Sequence, residues 1–296
     1  MSHVHWEGEP PRLRSPILVC AFAGWNDAAS AATTAIEAVA ASLDSQIVAR
    51  MDPEEFYDFQ VNRPTIRLVD GLTRRIDWPS NTLVTAETGP NAEHDLVLLS
   101  GLEPNLRWRT FAREIIDAAE RLGVEMCVSL GSLIADVAHT QPVPVTGLAS
   151  DESLVQRLGM QRSTYEGPTG IVGVLHEECR QRGIPAASLW AAIPHYVAAV
   201  PNPKAALALL RRLEGLTGVA IEASELEDAM ERFERQIDRA VAANPEIEEL
   251  VRRLEAEQAD EEDLPFGQDV PSGDAIAREF QRYLRQRADE PEEGQE

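Results

Sequence analysis

The residues best suited to chemistry form one short turn, Gly24-Trp25-Asn26-Asp27, between an apolar run and an alanine-rich segment. Glycine lets the backbone approach a ligand closely, and Asn26 and Asp27 could contact that ligand or cap the following helix. Trp25 could stack on a ring or insert into a partner protein. A capped helix with a buried tryptophan explains the same residues equally well. The turn is no nucleotide fingerprint, because it lacks the third glycine of a dinucleotide loop and any Gly-Lys-Ser/Thr.

Four glycines are predicted at or near the carboxyl ends of strands, the edge at which ligands of open α/β sheets bind. Together they could line a pocket or a contact between subunits. At any single position, an ordinary turn glycine is the simpler interpretation. Ser132 follows one of them, but the Gly-x-Ser-x-Gly pattern of hydrolases is absent. The four are Gly24, Gly101, Gly131 and Gly147.

A second candidate binding segment covers residues 165–170 and contains Tyr165, Gly167 and Gly170. It precedes a predicted helix, so its free backbone amides could hold an anion. A plain loop in which Thr169 caps the helix is the simpler alternative.

The histidines offer weaker signals for catalysis. His139, three residues after an aspartate, and His195, at a predicted strand end, could each act as a base, but neither has an obvious partner. His176 and Cys179 lie three residues apart on a predicted helix, a spacing that permits a shared metal. Cys179 belongs to the apolar face of that helix, which favours core packing instead. The sequence therefore predicts no catalytic residue, no metal site and no cofactor, and it leans away from an enzyme.

Composition excludes several classes of protein. The 296 residues include 50 acidic and 27 basic ones, a net charge of −23, which argues against binding nucleic acid or an anionic membrane surface. No apolar run reaches the length of a membrane span, and the first residues do not resemble a signal peptide. The three cysteines lie far apart within apolar patterns, which predicts buried thiols and a cytoplasmic protein.

Strand and helix patterns alternate along most of the chain, with short joins between them. This alternation predicts an α/β fold, a three-layer sandwich around a mostly parallel or mixed sheet with helices on both faces. Strands are predicted at residues 17–22, 47–51, 65–69, 83–87, 95–100, 126–130, 143–148 and 189–193, and helices near 27–42, 105–122, 169–183 and 203–213.

The charge distribution divides the chain near residue 218. Residues 222–296 hold 24 acids and nine bases, and narrow apolar stripes there predict charged helices, including one around 276–284. These helices could form a hairpin or a seam that faces a partner, and docking back onto the sheet is an equal alternative. We expect a flexible N-terminal segment at 1–14, a core domain at 15–218, a C-terminal helical segment at 219–288 and a disordered acidic tail at 289–296.

Four segments, in the same order, resemble the proteasome assembly chaperone family, the branch named for the second chaperone. Together they cover roughly residues 15–215, and the helical tail resembles the extra segment of bacterial members. The segments are Gly24-Trp25-Asn26-Asp27; Gly101-Leu102-Glu103-Pro104 followed by Trp108 and Phe111; Leu130-Gly131-Ser132 leading to Val137-Ala138-His139-Thr140-Gln141-Pro142; and Gly167-Pro168-Thr169-Gly170-Ile171.

The resemblance implies a fold similar to that of nucleoside phosphorylases, and it implies oligomers. In eukaryotic and archaeal relatives it implies help in assembling proteasome subunits. Those relatives dock through a C-terminal hydrophobic–tyrosine–any-residue signal, whereas this chain ends in Gly294-Gln295-Glu296. Docking by that signal is therefore not expected here.

The predicted function is a non-enzymatic assembly chaperone or scaffold that acts as a homo-oligomer, with proteasome subunits as candidate partners. The alternative is a protein or enzyme that binds a nucleoside- or phosphate-bearing small molecule at the strand ends. The expected interaction residues are Gly24, Trp25, Asn26, Asp27, Gly131, Ser132, His139, Tyr165, Gly167 and Gly170.

Overall fold

The computed structural model describes residues 2–71, 73–90, 92–149, 154–156, 160–162 and 165–262. The strands are β1 (Val4–Trp6), β2 (Ile17–Ala23), β3 (Asp44–Met51), β4 (Thr65–Val69), β5 (Thr73–Asp77), β6 (Asn81–Glu87), β7 (Leu96–Leu102), β8 (Met126–Ala135), β9 (Val145–Ala149), β10 (Gln161–Arg162) and β11 (Ala186–Pro194). The long helices are α1 (Ala31–Ser42), α2 (Trp108–Arg121), α3 (Ile171–Arg182), α4 (Pro203–Thr217), α5 (Ser224–Ala242) and α6 (Pro245–Glu262).

Nine strands form one mixed sheet in the order β1-β3-β6-β7-β2-β8-β11-β9-β10. Its centre, β7-β2-β8-β11, is parallel. On one side β6, β3 and β1 continue the sheet with antiparallel pairings, and on the other side β9 runs antiparallel to β11. The predicted mixed α/β fold is confirmed.

The central strands are apolar throughout because both of their faces are covered by helices. Side chains alternate along β2, so Ile17 and Val19 join a core cluster with α1 and α4, whereas Leu18 and Cys20 join a cluster with α2 and α3. The result is three layers, with the carboxyl ends of the four parallel strands at one edge.

The expectation of a flexible segment at residues 1–14 does not describe Val4–Trp6. These residues form the edge strand β1, which pairs antiparallel with β3, and Val4 is buried in the cluster with α2. At the end of the segment, the Arg14 guanidinium donates to Asp95 Oδ1 over 2.7 Å. Burial by itself raises the pKa of Asp95, but the hydrogen bonds, headed by those of Arg14, lower it well below its usual range.

Helices α5 and α6 pack against the core and against each other. Phe233 and Ile237 of α5 share an apolar cluster with Leu254 of α6 and with Ala138 and Val197 of the core. In the described residues the tail thus docks on the body rather than extending as a free seam. The predicted domain boundaries remain predictions. The helix predicted at 276–284 and the tail at 289–296 lie outside the described residues.

Candidate functional site at the strand ends

Asp27, at the end of the turn after β2, caps helix α1. Its Oδ1 accepts hydrogen bonds from the backbone N–H groups of Ala32 (2.8 Å) and Thr33 (3.2 Å), and its Oδ2 accepts one from the Thr33 hydroxyl (2.5 Å). Burial raises the pKa of this carboxyl, and the hydrogen bonds from Thr33 and Ala32 offset that rise in part. The side chain is therefore held by the fold itself.

The backbone between Asp27 and α1 is strained. Ala29 and Ser30 both adopt left-handed conformations, with φ of 52° and 53°. Such conformations are costly for residues with a side chain, and they persist only where the surroundings enforce them. Here the N–H of Asn202 donates to the Ala29 carbonyl over 2.9 Å, which joins the turn to the start of α4.

The same turn is joined to β8 through Ser132. A parallel bridge pairs Asp27 with Ser132, and the Ser132 N–H donates to the Asn26 carbonyl over 2.9 Å. The Ser132 hydroxyl donates to the Ala28 carbonyl over 2.8 Å, and Ser132 is only 1% exposed. The hydroxyl thus serves the fold and is shielded from a substrate.

Glu103 connects three of the segments that the sequence separates. Its N–H donates to the Ala23 carbonyl over 2.9 Å, and its Oε1 accepts the N–H of Ile171, the first residue of α3, over 2.8 Å. Burial raises the pKa of this carboxyl, while hydrogen bonds from the backbone of Ile171 and Trp25 lower it in part. Sequence analysis did not select Glu103 as a site residue. Its position directly after a strand at the shared edge is the signal that could have found it.

Gly170 lies where no side chain fits. A Cβ at this position would come within 2.5 Å of Asn26 Nδ2, 2.8 Å of Glu103 Oε1 and 3.1 Å of Trp25 Cε3. Asn26 is 4% exposed, and its buried Nδ2 has no hydrogen-bond partner among the described residues. A buried donor without a partner is costly, so this amide marks a point at which an acceptor would be stabilising.

Tyr165 and Gly167 form a separate turn in front of Gly170. The Tyr165 hydroxyl donates to the Pro168 carbonyl over 2.7 Å, and a Cβ on Gly167 would lie 2.5 Å from that hydroxyl oxygen. Gly167 is exposed. Among the three residues predicted in this segment, Gly170 is the one whose close neighbours are the residues of the first turn.

Gly131 does not end a strand, contrary to the sequence prediction. Strand β8 pairs with β11 up to Ala135, so Gly131 is an interior strand residue. A Cβ there would come within 2.6 Å of the Trp190 ring on β11, which explains the glycine by packing. Gly147 likewise lies in the middle of β9.

His139 belongs to a different polar cluster, where the core meets the helical tail. The residue is 5% exposed, with Nδ1 at 2.8 Å from the Tyr196 hydroxyl and Nε2 at 3.1 Å from Asp238 of α5. Lys204 Nζ donates to the His139 carbonyl over 2.6 Å and pairs with Glu234 of α5 at 2.8 Å. This cluster fastens α5 to the core.

His195, the second predicted base, lies outside this cluster's bonds to α5. Its Nδ1 is 3.3 Å from Oδ1 of Asp136.

One serine–histidine contact escaped the sequence analysis. Ser129 Oγ on β8 and His176 Nε2 on α3 are 2.9 Å apart, and burial lowers the pKa of His176 to about 4. Ser129 is 1% exposed, which closes it to a substrate. The contact joins residues 47 positions apart, and no local pattern indicates it.

The three cysteines, Cys20, Cys127 and Cys179, are free and buried in the cluster between the sheet and helices α2 and α3. The described part of the chain contains no group of three or more side chains that could hold a metal ion. Among the helices described, none is both long and apolar enough to cross a membrane.

The chain is similar to proteins whose structures are solved. It matches the profile of the PAC2 family over residues 21–241. A PAC2 family protein from Streptomyces avermitilis is 47% identical, with a TM-score of 0.75, and the match covers 80% of this chain and 99% of that one. A proteasome-assembly chaperone homologue from Mycobacterium tuberculosis is 45% identical, with a TM-score of 0.72, covering 79% of this chain and 99% of that one.

A more distant likeness concerns the fold alone. A Pyrococcus furiosus protein described as an archaeal proteasome activator is 15% identical, with a TM-score of 0.66, and the match covers 81% of this chain and 99% of that one. Comparison with curated proteins finds no match.

Proposed function

The chain belongs to the PAC2 family, and from this premise we propose that it is a non-enzymatic assembly chaperone or scaffold for proteasome subunits that acts as a homo-oligomer. The observation that carries the proposal is the 45% identity to a proteasome-assembly chaperone homologue over 99% of that protein. We place this role in the cytoplasm, in keeping with three free, buried thiols.

The chemistry of the strand ends supports this proposal over catalysis. The polar side chains at this edge form hydrogen bonds within the chain itself, as Asp27, Glu103 and Ser132 show. Each of them shapes a turn, and none of these contacts leaves a nucleophile beside an accessible base. An edge whose polar groups are held in this way supports recognition of another macromolecule over catalysis.

An assembly assay tests the proposal. Purified proteasome α and β subunits from the encoding organism are mixed with and without the full chain, and native gels follow assembly intermediates and the mature particle. We expect the chain to bind a subunit or an intermediate and to change the rate of assembly. An unrelated acidic protein of similar charge is the control, because a net charge of −23 can attract basic proteins unspecifically. Absence of both binding and a rate change would overturn the proposal.

The unpaired Asn26 amide favours one alternative, a small-molecule site at the strand ends. An anionic or carbonyl group of a ligand could accept from Nδ2, which is buried and finds no partner in the part of the chain that the structure describes. A thermal-shift screen with nucleosides, nucleotides and phosphate tests this function, with Asn26→Ser as the matched variant. If no compound raises the melting temperature by more than about 1 °C, this function is rejected. A ligand present at a concentration well above its Kd stabilises the folded chain by several kcal/mol.

A further inference from the structure

Strands β4 and β5 form a hairpin that stands apart from the main sheet. They pair with each other in a separate two-stranded sheet. Of the eight large apolar side chains that are exposed among the described residues, five lie in this hairpin and its flanks, each 47–62% exposed. The five are Val61, Ile66, Leu68, Ile76 and Trp78.

The register of the hairpin gathers three of these side chains on one face. Ile66 lies opposite Ile76, and Leu68 lies opposite Arg74. Directly opposed residues of an antiparallel pair share a face, as do residues two apart on one strand. This apolar–arginine face therefore consists of Ile66, Ile76, Leu68 and Arg74.

The opposite face of the hairpin is polar and internally paired. Arg67 and Arg75 lie across from each other. Asp77 pairs with both, with its Oδ2 at 2.5 Å from Arg67 Nε and its Oδ1 at 3.4 Å from Arg75 Nε. At the base, the rings of Phe59 and Trp78 meet edge to face with centroids 4.8 Å apart, and Phe59 packs against the core cluster with α2. The base is thus fixed to the body while the apolar–arginine face is open to solvent.

An exposed face of this kind needs a partner. A two-stranded hairpin alone is marginally stable in water, and contiguous exposed apolar surface marks interaction sites. The charges indicate what the partner offers. Residues 61–78 contain four arginines and two aspartates, a basic island on a chain of net charge −23.

A second copy of the chain offers the complementary surface. Residues 224–262 alone contain fourteen acids and five bases, and every copy carries that acidic segment as well as its own basic hairpin. Contact between a basic patch and an acidic patch joins two different surfaces. Such a heterologous contact leaves one of each free on every pair and closes into a ring when the rotation permits.

We propose that the apolar–arginine face of the β4–β5 hairpin docks on an acidic surface of a second copy of this chain. This inference rests on the homo-oligomer of the proposed function and identifies the surface that builds it. Apolar side chains supply the binding free energy, and Arg74 on the same face selects an acidic partner and makes association sensitive to salt.

Sedimentation velocity of the full chain at low and high salt tests the proposal. We expect the wild-type chain to form oligomers at about 10 μM and to dissociate in part as salt rises. A chain carrying both Ile66→Glu and Leu68→Glu should associate about 100-fold more weakly or worse. At a concentration where both chains are monomeric, its melting temperature should equal that of the wild type, because both side chains are exposed in the protomer. A milder chain, Arg74→Gln, loses the arginine of that face and should associate more weakly and show less dependence on salt.

The matched control carries Ile47→Glu and Val200→Glu, which are exposed apolar residues outside the hairpin and its flanks. It should remain oligomeric. A wild-type chain that stays monomeric, or a hairpin variant that keeps the wild-type oligomer, overturns the proposal. A monomer that binds proteasome subunits through the hairpin also overturns it while upholding the chaperone role. An oligomer that depends on the hairpin but binds no subunit upholds it while refuting that role.

Discussion

Replacing Asp27 by alanine removes a side chain that ties the first turn to helix α1. Three donors lose their acceptor: the N–H groups of Ala32 and Thr33 and the Thr33 hydroxyl. Loss of a capping carboxylate costs about 0.5–2 kcal/mol, and a buried donor left unpaired costs about 1–3 kcal/mol. Ala32 is fully buried, whereas the side of the helix at Thr33 is partly open to water. We therefore expect the free energy of unfolding to fall by about 2–4 kcal/mol.

Asp27→Asn is the matched control, because it keeps an oxygen acceptor of the same shape and removes the charge. Burial raises the pKa of Asp27 in the folded state. A raised carboxyl pKa contributes stability that is fully present below the unfolded pKa of about 3.9, and that stability is lost as pH rises through the folded pKa. The asparagine variant lacks this titration. Its stability relative to wild type should therefore improve as pH rises through the range in which Asp27 ionises.

Urea unfolding followed by circular dichroism and thermal melting would measure both variants beside the wild type. About 1 kcal/mol corresponds to roughly 2–4 °C for a domain of this size. The alanine variant should then melt roughly 4–16 °C below wild type, and the asparagine variant should lie much closer. An alanine variant that melts with the wild type but loses partner binding would refute the reasoning, because Asp27 would then face a partner instead of α1.

Further predictions concern the strand ends, the N-terminal segment and the tail. Gly170→Ala should lower the free energy of unfolding by about 1–3 kcal/mol, because its Cβ would press on buried atoms. Gly215 lies in α4, where a Cβ would meet no atom within 4 Å, so Gly215→Ala should raise the free energy of unfolding by about 0.5–1 kcal/mol. Equal changes in melting temperature for the two variants would contradict the tight packing around Gly170. Although burial raises the pKa of Asp95, hydrogen bonds headed by those of Arg14 lower it, so the stability from Asp95 is present above its unfolded pKa and lost as pH falls. Arg14→Gln should therefore move acid unfolding to higher pH, and an unchanged midpoint would refute this. His139→Ala should speed amide hydrogen exchange in α5 but not in α3, at a cost of about 1–3 kcal/mol, and equal protection in α5 would show that the cluster does not fasten the tail.

Local pattern predicted the central layers of the fold well. The apolar runs of β2, β7, β8 and β11 are buried on both faces, as their lack of alternation indicates. The alternative in which Asp27 caps the alanine-rich helix is also what the hydrogen bonds support. These features depend on neighbours a few residues away, so a sequence window contains them.

Other features depend on strand partners and were mispredicted or missed. The pattern predicted that the strand before Gly131 ends there, but pairing with β11 extends β8 to Ala135. The segment at 65–69 was predicted as a strand, yet its partner β5 and its separation from the main sheet were not. The edge strand Val4–Trp6 has too few residues for a pattern, and it becomes a strand through its pairing with β3.

The amino-acid sequence by itself determined the α/β class, the burial of the central strands and the family, because periodicity and ordered motifs are local properties of the chain. Tertiary structure alone decided which distant groups meet. Glu103 reaches Ile171 across 68 positions, and His139 reaches Asp238 across 99. Such contacts form when strands and helices pack against each other in three dimensions. Bringing distant residues together costs chain entropy that packing must offset, and a short stretch of sequence contains neither quantity. For the same reason, the exposure of the β4–β5 face follows from the tertiary structure, in which these two strands do not join the nine-stranded sheet.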